Sequence, residues 1–360
     1  MLEALLNTDT VKWAEMPKDE KNGIIVSSRI RLARDLKQIP FPHQLNAESG
    51  GTCTALLEQA WQECKEKLPG FVWVDPEQLS GQELKLLIEK RLVTPKFAEN
   101  VKKWERLLMK EDGSLTVLFN EEDHLRIRCM LPGLALEECW QQASGLDDCL
   151  EQVLDYAFDE RFGYLTACPT DLGTGMQASV LLHLPAIRMT GQFPKVMQNM
   201  SQLGINIHGL FGDGTKAFGN LYQISNQITT GQTETEIYSY LATVAQQLVE
   251  QEKQMREDLK QKNPYQFIDR IKRANGLLRN AYMIDASEAL SLLSDLRLGV
   301  DMQLVETIPV AVINQMTMLI NPGHLQRRSE EKMTAPEKDH LRAELLQEKL
   351  RAGSPATSLI

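Results

Sequence analysis

The sequence predicts an α+β fold: a mostly antiparallel sheet flanked by helices, followed by a C-terminal helical domain. Three observations lead to it. Strand signals are concentrated in the middle of the chain, long helical stretches separate them, and beyond about residue 253 strand signals give way to helical patterns. We therefore predict two domains, a catalytic-type domain over residues 1–252 and a helical domain over residues 253–360.

The first elements are a strand and an amphipathic helix. Ile24–Val26 are typical of a short buried strand that runs into the basic segment SSRIRLARD. Residues 55–68 repeat apolar side chains at helical spacing, which predicts a helix with one buried face.

A hairpin is the clearest strand signal. Residues 114–120 and 124–131 are two strand-like runs joined only by Glu121, Glu122 and Asp123, which make an acidic tip. In the second run Arg126 and Arg128 alternate with apolar residues, so they share one face of the strand. Further strand candidates are residues 163–169, 205–211 and 220–225.

Two capping boxes mark later helices. Thr233-x-x-Glu236 precedes an apolar stripe, and Thr334-x-x-Glu337, with Pro336 in the first turn, opens the final helix.

Composition excludes several classes of protein. The 360 residues carry a net charge of −10, which gives no electrostatic support for binding to nucleic acid or anionic membranes. No apolar run is long enough for a transmembrane helix, and the N-terminal residues do not resemble a signal peptide. The six cysteines follow no zinc-ligand or disulfide pattern. These features predict a cytoplasmic protein that binds neither nucleic acid nor membrane.

Four polar segments interrupt this pattern and point to phosphate chemistry. Arg29, Arg31 and Arg126 have the planar, permanently charged groups that grip phosphate oxygens, and Gly173–Gly175 lets backbone N–H groups approach an anion. Each segment alone has a plain alternative, since arginines are usually solvated and the alternative for the acidic tip is a solvated hairpin turn. His124 and His183 are interpreted as structural histidines, because no metal-ligand spacing surrounds them.

Taken in order, these segments resemble a known enzyme family. SSRIRLARD, NEEDHLRI, GYLTACPTDLGTG and GNLYQISNQIT are similar to the signature segments of the ATP:guanidino phosphotransferases, or phosphagen kinases. That resemblance implies transfer of the γ-phosphoryl group of Mg-ATP to a guanidinium nitrogen, with magnesium carried by the nucleotide and no protein metal site. The C-terminal helical region and the segment Lys338–Ala343 indicate the protein arginine kinase branch, whose substrates are arginine side chains of proteins.

The resemblance also assigns roles to residues. Glu122 is the carboxylate that orients the acceptor guanidinium, and Cys168 is the cysteine beside it. The nucleotide-binding residues are Ser27, Ser28, Arg29, Ile30, Arg31 and Arg126, with weaker assignments at Arg91, Gln177, Ala178, Ser179, Val180, Leu181, Phe211, Gly212, Asp213, Gly214, Thr215 and Lys216. A phosphoarginine-sensing site is implied at Lys338, Asp339 and Arg342.

Several positions depart from the family pattern. Gln177 and His208 replace arginines, Lys216 replaces an acidic residue that contacts the acceptor, and Arg91 stands where a histidine is usual. Lys216 beside Glu122 would form a salt bridge that blocks the acceptor site. The alternative function is therefore a pseudokinase, a regulator that binds nucleotide or phosphoarginine without catalysis.

The resemblance further implies partners: a homodimer, a zinc-binding activator protein, and an AAA+ Clp protease that receives marked clients under stress.

Overall fold

The computed structural model describes residues 1–16, 23–210, 218–305 and 308–353 of the chain. Within these ranges the strands are β1 (Ile25–Arg34), β2 (Phe71–Val74), β3 (Arg106–Lys110), β4 (Leu115–Phe119), β5 (Leu125–Pro132), β6 (Phe158–Asp159), β7 (Gly163–Tyr164), β8 (Met176–His183), β9 (Ile205–Gly209) and β10 (Leu221–Asn226). The α-helices are α1 (Leu2–Asn7), α2 (Ala47–Cys64), α3 (Gly81–Glu89), α4 (Pro95–Glu99), α5 (Leu136–Glu151), α6 (Pro185–Met189), α7 (Phe193–Gln202), α8 (Glu234–Lys262), α9 (Pro264–Asn280), α10 (Ala286–Asp301), α11 (Val310–Leu319), α12 (Pro322–Gln326) and α13 (Ala335–Gly353).

Eight of these strands, all within the described ranges, form one sheet in the order β2-β3-β4-β5-β1-β8-β10-β9. The pairs from β2 to β5, and the pair of β5 with β1, are antiparallel. Helices flank the sheet and fill the C-terminal region, which confirms the predicted α+β class.

The predicted hairpin is confirmed as β4 and β5. β1 differs from its prediction, because the strand does not stop at Val26 but continues through the basic segment to Arg34. The predicted strand over residues 163–169 is wrong beyond Tyr164. There the backbone N–H of Ala167 donates to two carboxylates instead of to a neighbouring strand, and residues 169–171 form a 3₁₀ turn.

The chain divides into two compact units. Unit 1 comprises residues 1–13, 27–180 and 225–242, and unit 2 comprises residues 14–26, 181–224 and 243–360. In unit 1 an apolar cluster that includes Leu87, Phe97 and Leu107 packs beside β3. In unit 2 Phe267, Ile271 and Leu298 form a cluster between α9 and α10. The predicted domain boundary near residue 253 stays a prediction.

Both predicted capping boxes are present. The carboxylate of Glu236 accepts from the backbone N–H of Thr233 at 2.8 Å, and the carboxylate of Glu337 accepts from Thr334 at 2.7 Å. No helix in the described part of the chain is both long and apolar enough to cross a membrane.

Candidate functional site

Strand β1 places two arginines on one face. Arg29 and Arg31 are partly exposed, while Ser28 and Ile30, which alternate with them along the strand, are fully buried, because successive strand residues point to opposite sides. Ser27 is also buried. The Ser28 hydroxyl donates to a backbone carbonyl at 2.8 Å, so its role is to fix the strand.

Strand β5 and the end of α3 add three more arginines. Arg128 lies directly opposite Arg31 in the strand register, and Arg126 is two residues earlier on the same face. Arg128 NH2 donates to the backbone carbonyl of Arg91 at 3.1 Å, which brings the end of α3 to this face. We name Arg29, Arg31, Arg91, Arg126 and Arg128 the arginine cluster.

The arginine cluster carries positive charge that its own surroundings do not fully balance. Burial and the neighbouring arginines hold the pKa of Arg29 well below its usual value, and burial together with Arg126 lowers the pKa of Arg31. Burial lowers the pKa of Arg91 to about 9 and that of Arg128 to about 10. Arginines do not lose their protons in proteins, so these lowered pKa values reflect charge that is buried away from water and close to other positive charges, which a bound anion would stabilise.

The Nε atoms of Arg29 and Arg31 lead to the same conclusion. Both atoms are buried and have no hydrogen-bond partner among the described residues. A buried charged donor without a partner is costly, and a phosphate oxygen is the acceptor that guanidinium groups bind best. The cluster therefore fits a polyphosphate such as the one ATP carries.

β8 fixes the position of Arg29. Its NH2 donates to Gln177 Oε1 at 3.3 Å and to Ser179 Oγ at 3.2 Å. Gln177 therefore holds an arginine here and adds no positive charge of its own. Ala178, Val180 and Leu181 are buried in the same strand, so their side chains face the protein interior.

The acidic tip of the hairpin surrounds Arg126. Arg126 NH1 lies 2.8 Å from Glu122 and 3.2 Å from Glu121, and its Nε lies 3.1 Å from Asp123. Burial alone would lower the pKa of Arg126, but the three carboxylates raise it above its usual value. Glu121 and Asp123 are buried, so the solvated-turn alternative is wrong for them. The Glu122 side chain is 32% exposed and is the carboxylate of the tip that a substrate can reach.

Two buried aspartates connect this tip to Cys168. The backbone N–H of Ala167 donates to Asp123 at 3.0 Å and to Asp35 at 3.2 Å. Burial and the nearby Asp35 raise the pKa of Asp123 to about 7. His124 is buried, and its Nδ1 lies 2.7 Å from Asp35, in agreement with the structural role that the sequence predicts for this histidine.

Cys168 follows directly after this anchored residue. It is partly exposed, whereas the other five cysteines are buried, and its Sγ lies 3.0 Å from the hydroxyl of Thr170. One residue further on, Asp171 accepts from Arg31 NH2 at 2.7 and 2.6 Å and lies 3.7 Å from Arg126 NH2. Unit 1 thus brings together the predicted residues Arg29, Arg31, Arg91, Glu122, Arg126, Cys168 and Gln177.

Other predicted residues lie elsewhere. Phe211, Gly212, Asp213, Gly214, Thr215 and Lys216 lie outside the described residues, so the predicted contact of Lys216 with Glu122 stays a prediction. His208 lies in β9 of unit 2 and is exposed.

The predicted phosphoarginine-sensing residues lie on α13 in unit 2. Arg342 is buried, and its guanidinium donates to the carbonyls of Ile320 and Ile284 at 2.8 Å each and to Asp339 at 2.5 Å. Lys338 is partly exposed one residue before Asp339. Arg342 thus ties α13 to two neighbouring segments of the same unit.

Sequence reasoning missed three members of the site. Arg128 had a signal, because it stands two residues after Arg126 on the same strand face. Asp35 is the last residue of the segment SSRIRLARD and Asp171 lies inside GYLTACPTDLGTG, but neither had a partner that spacing could identify. Their contacts join residues far apart in the sequence, and Arg31 and Asp171 are 140 positions apart.

No group of three or more His, Cys, Asp and Glu side chains within the described ranges is arranged to hold a metal ion.

Comparison with known families gives two matches along the chain. Residues 53–255 match the family described as ATP:guanido phosphotransferase, C-terminal catalytic domain. Residues 264–358 match the protein-arginine kinase McsB C-terminal domain.

Curated relatives match almost the whole chain. A protein-arginine kinase of Syntrophomonas wolfei is 48% identical over 342 residues, which are 95% of this chain and 95% of the relative. A protein-arginine kinase of Desulforamulus reducens is 42% identical over 343 residues, 95% of this chain and 96% of the relative.

Solved structures share the fold at low identity. A lombricine kinase has a TM-score of 0.58 at 20% identity, covering 69% of this chain and 70% of its own. The duplicated taurocyamine kinase of Schistosoma mansoni, with bound transition state analog components, has a TM-score of 0.57 at 19% identity, covering 72% of this chain and 40% of its own. With the two family matches and the full-length relatives, the chain belongs to the protein-arginine kinase branch of the ATP:guanido phosphotransferase family.

Proposed function

We propose that this chain transfers the γ-phosphoryl group of ATP to guanidinium nitrogens of arginine side chains in proteins. One observation carries the proposal. Glu122 is a partly exposed carboxylate that lies 2.8 Å from the guanidinium of Arg126. It lies beside the arginine cluster, whose buried positive charge a bound anion would stabilise. The site therefore has groups suited to the acceptor and groups suited to the donor.

On the donor side the protein's task is to position phosphates and neutralise their charge. Phosphoryl transfer proceeds through a loose transition state whose negative charge is spread over oxygens. Arg29 and Arg31, whose Nε donors have no partner in the described part of the chain, are the residues we assign to the nucleotide phosphates. Arg128, opposite Arg31 in the strand register, adds positive potential to the cluster. It is buried, and its guanidinium donates to backbone carbonyls.

On the acceptor side the protein must make a poor nucleophile reactive. A guanidinium nitrogen attacks the γ-phosphorus, an N–P bond forms, the bond to the bridging oxygen breaks, ADP leaves, and the nitrogen loses a proton. Glu122 orients that guanidinium and accepts a hydrogen bond from its N–H group, which favours the loss of the proton. Cys168 follows Ala167, whose backbone N–H donates to Asp123 of the tip, and we assign its sulfur to the acceptor side.

Magnesium completes the donor. We propose that Mg²⁺ enters bound to the ATP phosphates, where it shares the neutralisation of charge with the arginine cluster.

A second candidate is a nucleotide-binding pseudokinase. The observation that favours it is Gln177, which accepts from Arg29 at 3.3 Å where the family pattern has another arginine. His208 and Lys216 add to this alternative as departures in the sequence. Loss of one electrostatic donor costs about 10²–10³ in rate, and losses within one cooperating group do not add.

The partners implied by the family resemblance are part of the proposal. They are protein substrates with accessible arginines, a second copy of the chain, a zinc-binding activator and a Clp protease. Phosphoarginine sensing at Lys338, Asp339 and Arg342 belongs with them.

The test is a transfer assay with labelled ATP, magnesium and an unfolded arginine-rich protein. We expect acid-labile label on that protein, and we expect Glu122→Gln to remove it. Glu63→Gln, the same change at an exposed position on α2, serves as the matched control and keeps the activity. Nucleotide binding without transfer to any substrate would support the pseudokinase instead.

A further inference from the structure

Asp171 occupies the centre of the arginine cluster. Its carboxylate is buried, accepts from Arg31 NH2 at 2.7 and 2.6 Å, and lies 3.7 Å from Arg126 NH2. Arg31 is one of the two arginines that the proposed function assigns to the nucleotide phosphates, and Arg126 belongs to the same cluster. The carboxylate of Asp171 lies between these two guanidinium groups, at the position that the oxygens of a phosphate group would occupy.

The pairing of Asp171 with Arg31 leaves the guanidinium partly unused. A single nitrogen of Arg31, NH2, serves both carboxylate oxygens, while the buried Nε has no partner among the described residues. A phosphate or carboxylate that meets the guanidinium fork side-on engages two nitrogens at once. Asp171 therefore uses only part of the Arg31 guanidinium and leaves its Nε donor available to a phosphate that binds side-on.

The backbone around Asp171 is fixed without its carboxylate. The hydroxyl of Thr229 donates to the carbonyl of Leu172 at 2.6 Å and lies 3.0 Å from the carbonyl of Thr170, so it holds the backbone on either side of Asp171. The side chain can thus change its partner while the chain keeps its path. What Asp171 contributes to the site is a negative charge.

We propose that Asp171 is a built-in counter-ion that occupies a phosphate-binding position of the arginine cluster, and that nucleotide binds by displacing it from Arg31. The inference rests on the proposed function, because it takes the ligand of the cluster to be a nucleotide. Asp171 neutralises buried arginines in the free protein and lowers affinity for nucleotide, since the incoming phosphates compete with it and are repelled by it. Only Pro169 and Thr170 separate Asp171 from Cys168, so its displacement occurs in the same loop that carries the cysteine.

The test compares Asp171→Asn with the unmutated full chain by calorimetric titration with Mg-ADP. Asparagine keeps the size of the side chain and one acceptor for Arg31 but removes the charge. We expect the dissociation constant to fall about tenfold or more, as for removal of a competing charged partner. Asp148→Asn makes the same charge change at an exposed position on α5 and leaves the constant unchanged.

Two further variants keep the result interpretable. Asp171→Ser, smaller and also neutral, tightens binding as well and covers the case in which asparagine disturbs folding. Arg31→Gln weakens binding, and in that background Asp171→Asn brings no gain, because the cation on which the two anions compete is gone.

The outcomes separate this inference from the proposed function. Tighter binding by the neutral variants, or binding by them alone, supports the counter-ion role. Equal or weaker binding by the neutral variants, with clear binding by the unmutated chain, overturns the inference and leaves the proposed function standing. No binding by any variant overturns both.

Discussion

Arg126 and Arg128 stand two residues apart on one strand, yet their surroundings are opposite. Arg126 is ringed by carboxylates that raise its pKa, whereas burial lowers the pKa of Arg128 to about 10. Arg126 therefore holds the acidic tip in place. Arg128 contributes positive potential to the cluster and donates to the backbone carbonyls of Arg91 and Leu92, just after α3.

The exposure of Cys168 predicts its reactivity. It is the one partly exposed cysteine, and all six cysteines of the chain are free thiols within the described residues. We expect a small thiol reagent to modify one equivalent rapidly in the native protein and all six after denaturation, because burial protects the others. Cys168→Ser should abolish the rapid phase. Rapid modification of two or more thiols in the native chain would contradict this burial pattern.

Glu105 predicts a pH dependence of stability. It is 3% exposed, and burial raises its pKa to about 7. The folded chain keeps this proton at pH values where the unfolded chain releases it, so this contribution to the unfolding free energy falls as the pH rises from about 4.5 to 7. Glu105→Gln mimics the protonated acid. Its unfolding free energy relative to that of the unmutated chain should therefore be higher at pH 8 than at pH 5.

Urea unfolding at both pH values measures the effect, and Glu63→Gln at an exposed site is its control. If the unfolding free energy changes equally between the two pH values in Glu105→Gln and in the unmutated chain, the pKa of Glu105 is not raised.

At the scale of elements, local pattern predicted what local interactions determine. The hairpin of β4 and β5 followed from alternation and a short polar tip, and both capping boxes followed from their spacing. Helix α2 begins at Ala47, eight residues before the predicted start, because Asn46 caps it with bonds of 3.0 Å to Glu48 and Ser49. That signal was in the sequence, but the glycines after it concealed the helix.

The site divides in the same way. Alternation along β5 was enough to place Arg126 on a polar face. Arg29 and Arg31 were identified by residue type alone, because the strand that holds them was predicted to end at Val26. The contacts of Asp171 with Arg31 and of Ala167 with Asp35 depend on which strands pair and where a loop returns, and no local spacing encodes that. Sequence reasoning therefore identified the types of group in the site better than the contacts among them.

Helix α2 offers a matched pair of glycines for a test of packing. A methyl group at Gly50 would lie 2.6 Å from Cδ2 of Trp104, whereas one at Gly51 meets nothing within 4 Å. Both changes to alanine favour the helix by about 1 kcal/mol, but the clash costs about 1–3 kcal/mol. We expect Gly51→Ala to raise the unfolding free energy and Gly50→Ala to lower it in urea titrations. Equal stabilisation by both would mean that Trp104 does not pack against α2.

At the scale of the whole molecule, the net charge is negative, but the charge of the arginine cluster is positive. The net charge is −10, yet unit 1 gathers five arginines on one face. A protein of this charge repels polyanions such as nucleic acid in general and still has a local site for phosphates.

Exposed apolar residues on unit 2 predict self-association. Tyr265, Leu277, Tyr282 and Met283 are 85%, 43%, 75% and 45% exposed, and they lie on or just after α9. Large exposed apolar side chains on one region mark an interaction surface, and the family resemblance implies a second copy of the chain. Sedimentation equilibrium at tens of micromolar should show a dimer, and Tyr282→Asp together with Leu277→Asp should shift it to monomer. A strict monomer of the unmutated chain would contradict the prediction.

The central claim is that this molecule moves a phosphoryl group to arginine. The most direct measurement uses two peptides that differ only in one position, arginine in one and lysine in the other, each incubated with the chain and Mg-ATP and then weighed by mass spectrometry. The account predicts that the arginine peptide gains the mass of one phosphoryl group, that mild acid removes it, and that the lysine peptide gains nothing. An unchanged arginine peptide, under conditions where Mg-ADP binds, would contradict the claim and identify the chain as a nucleotide-binding regulator.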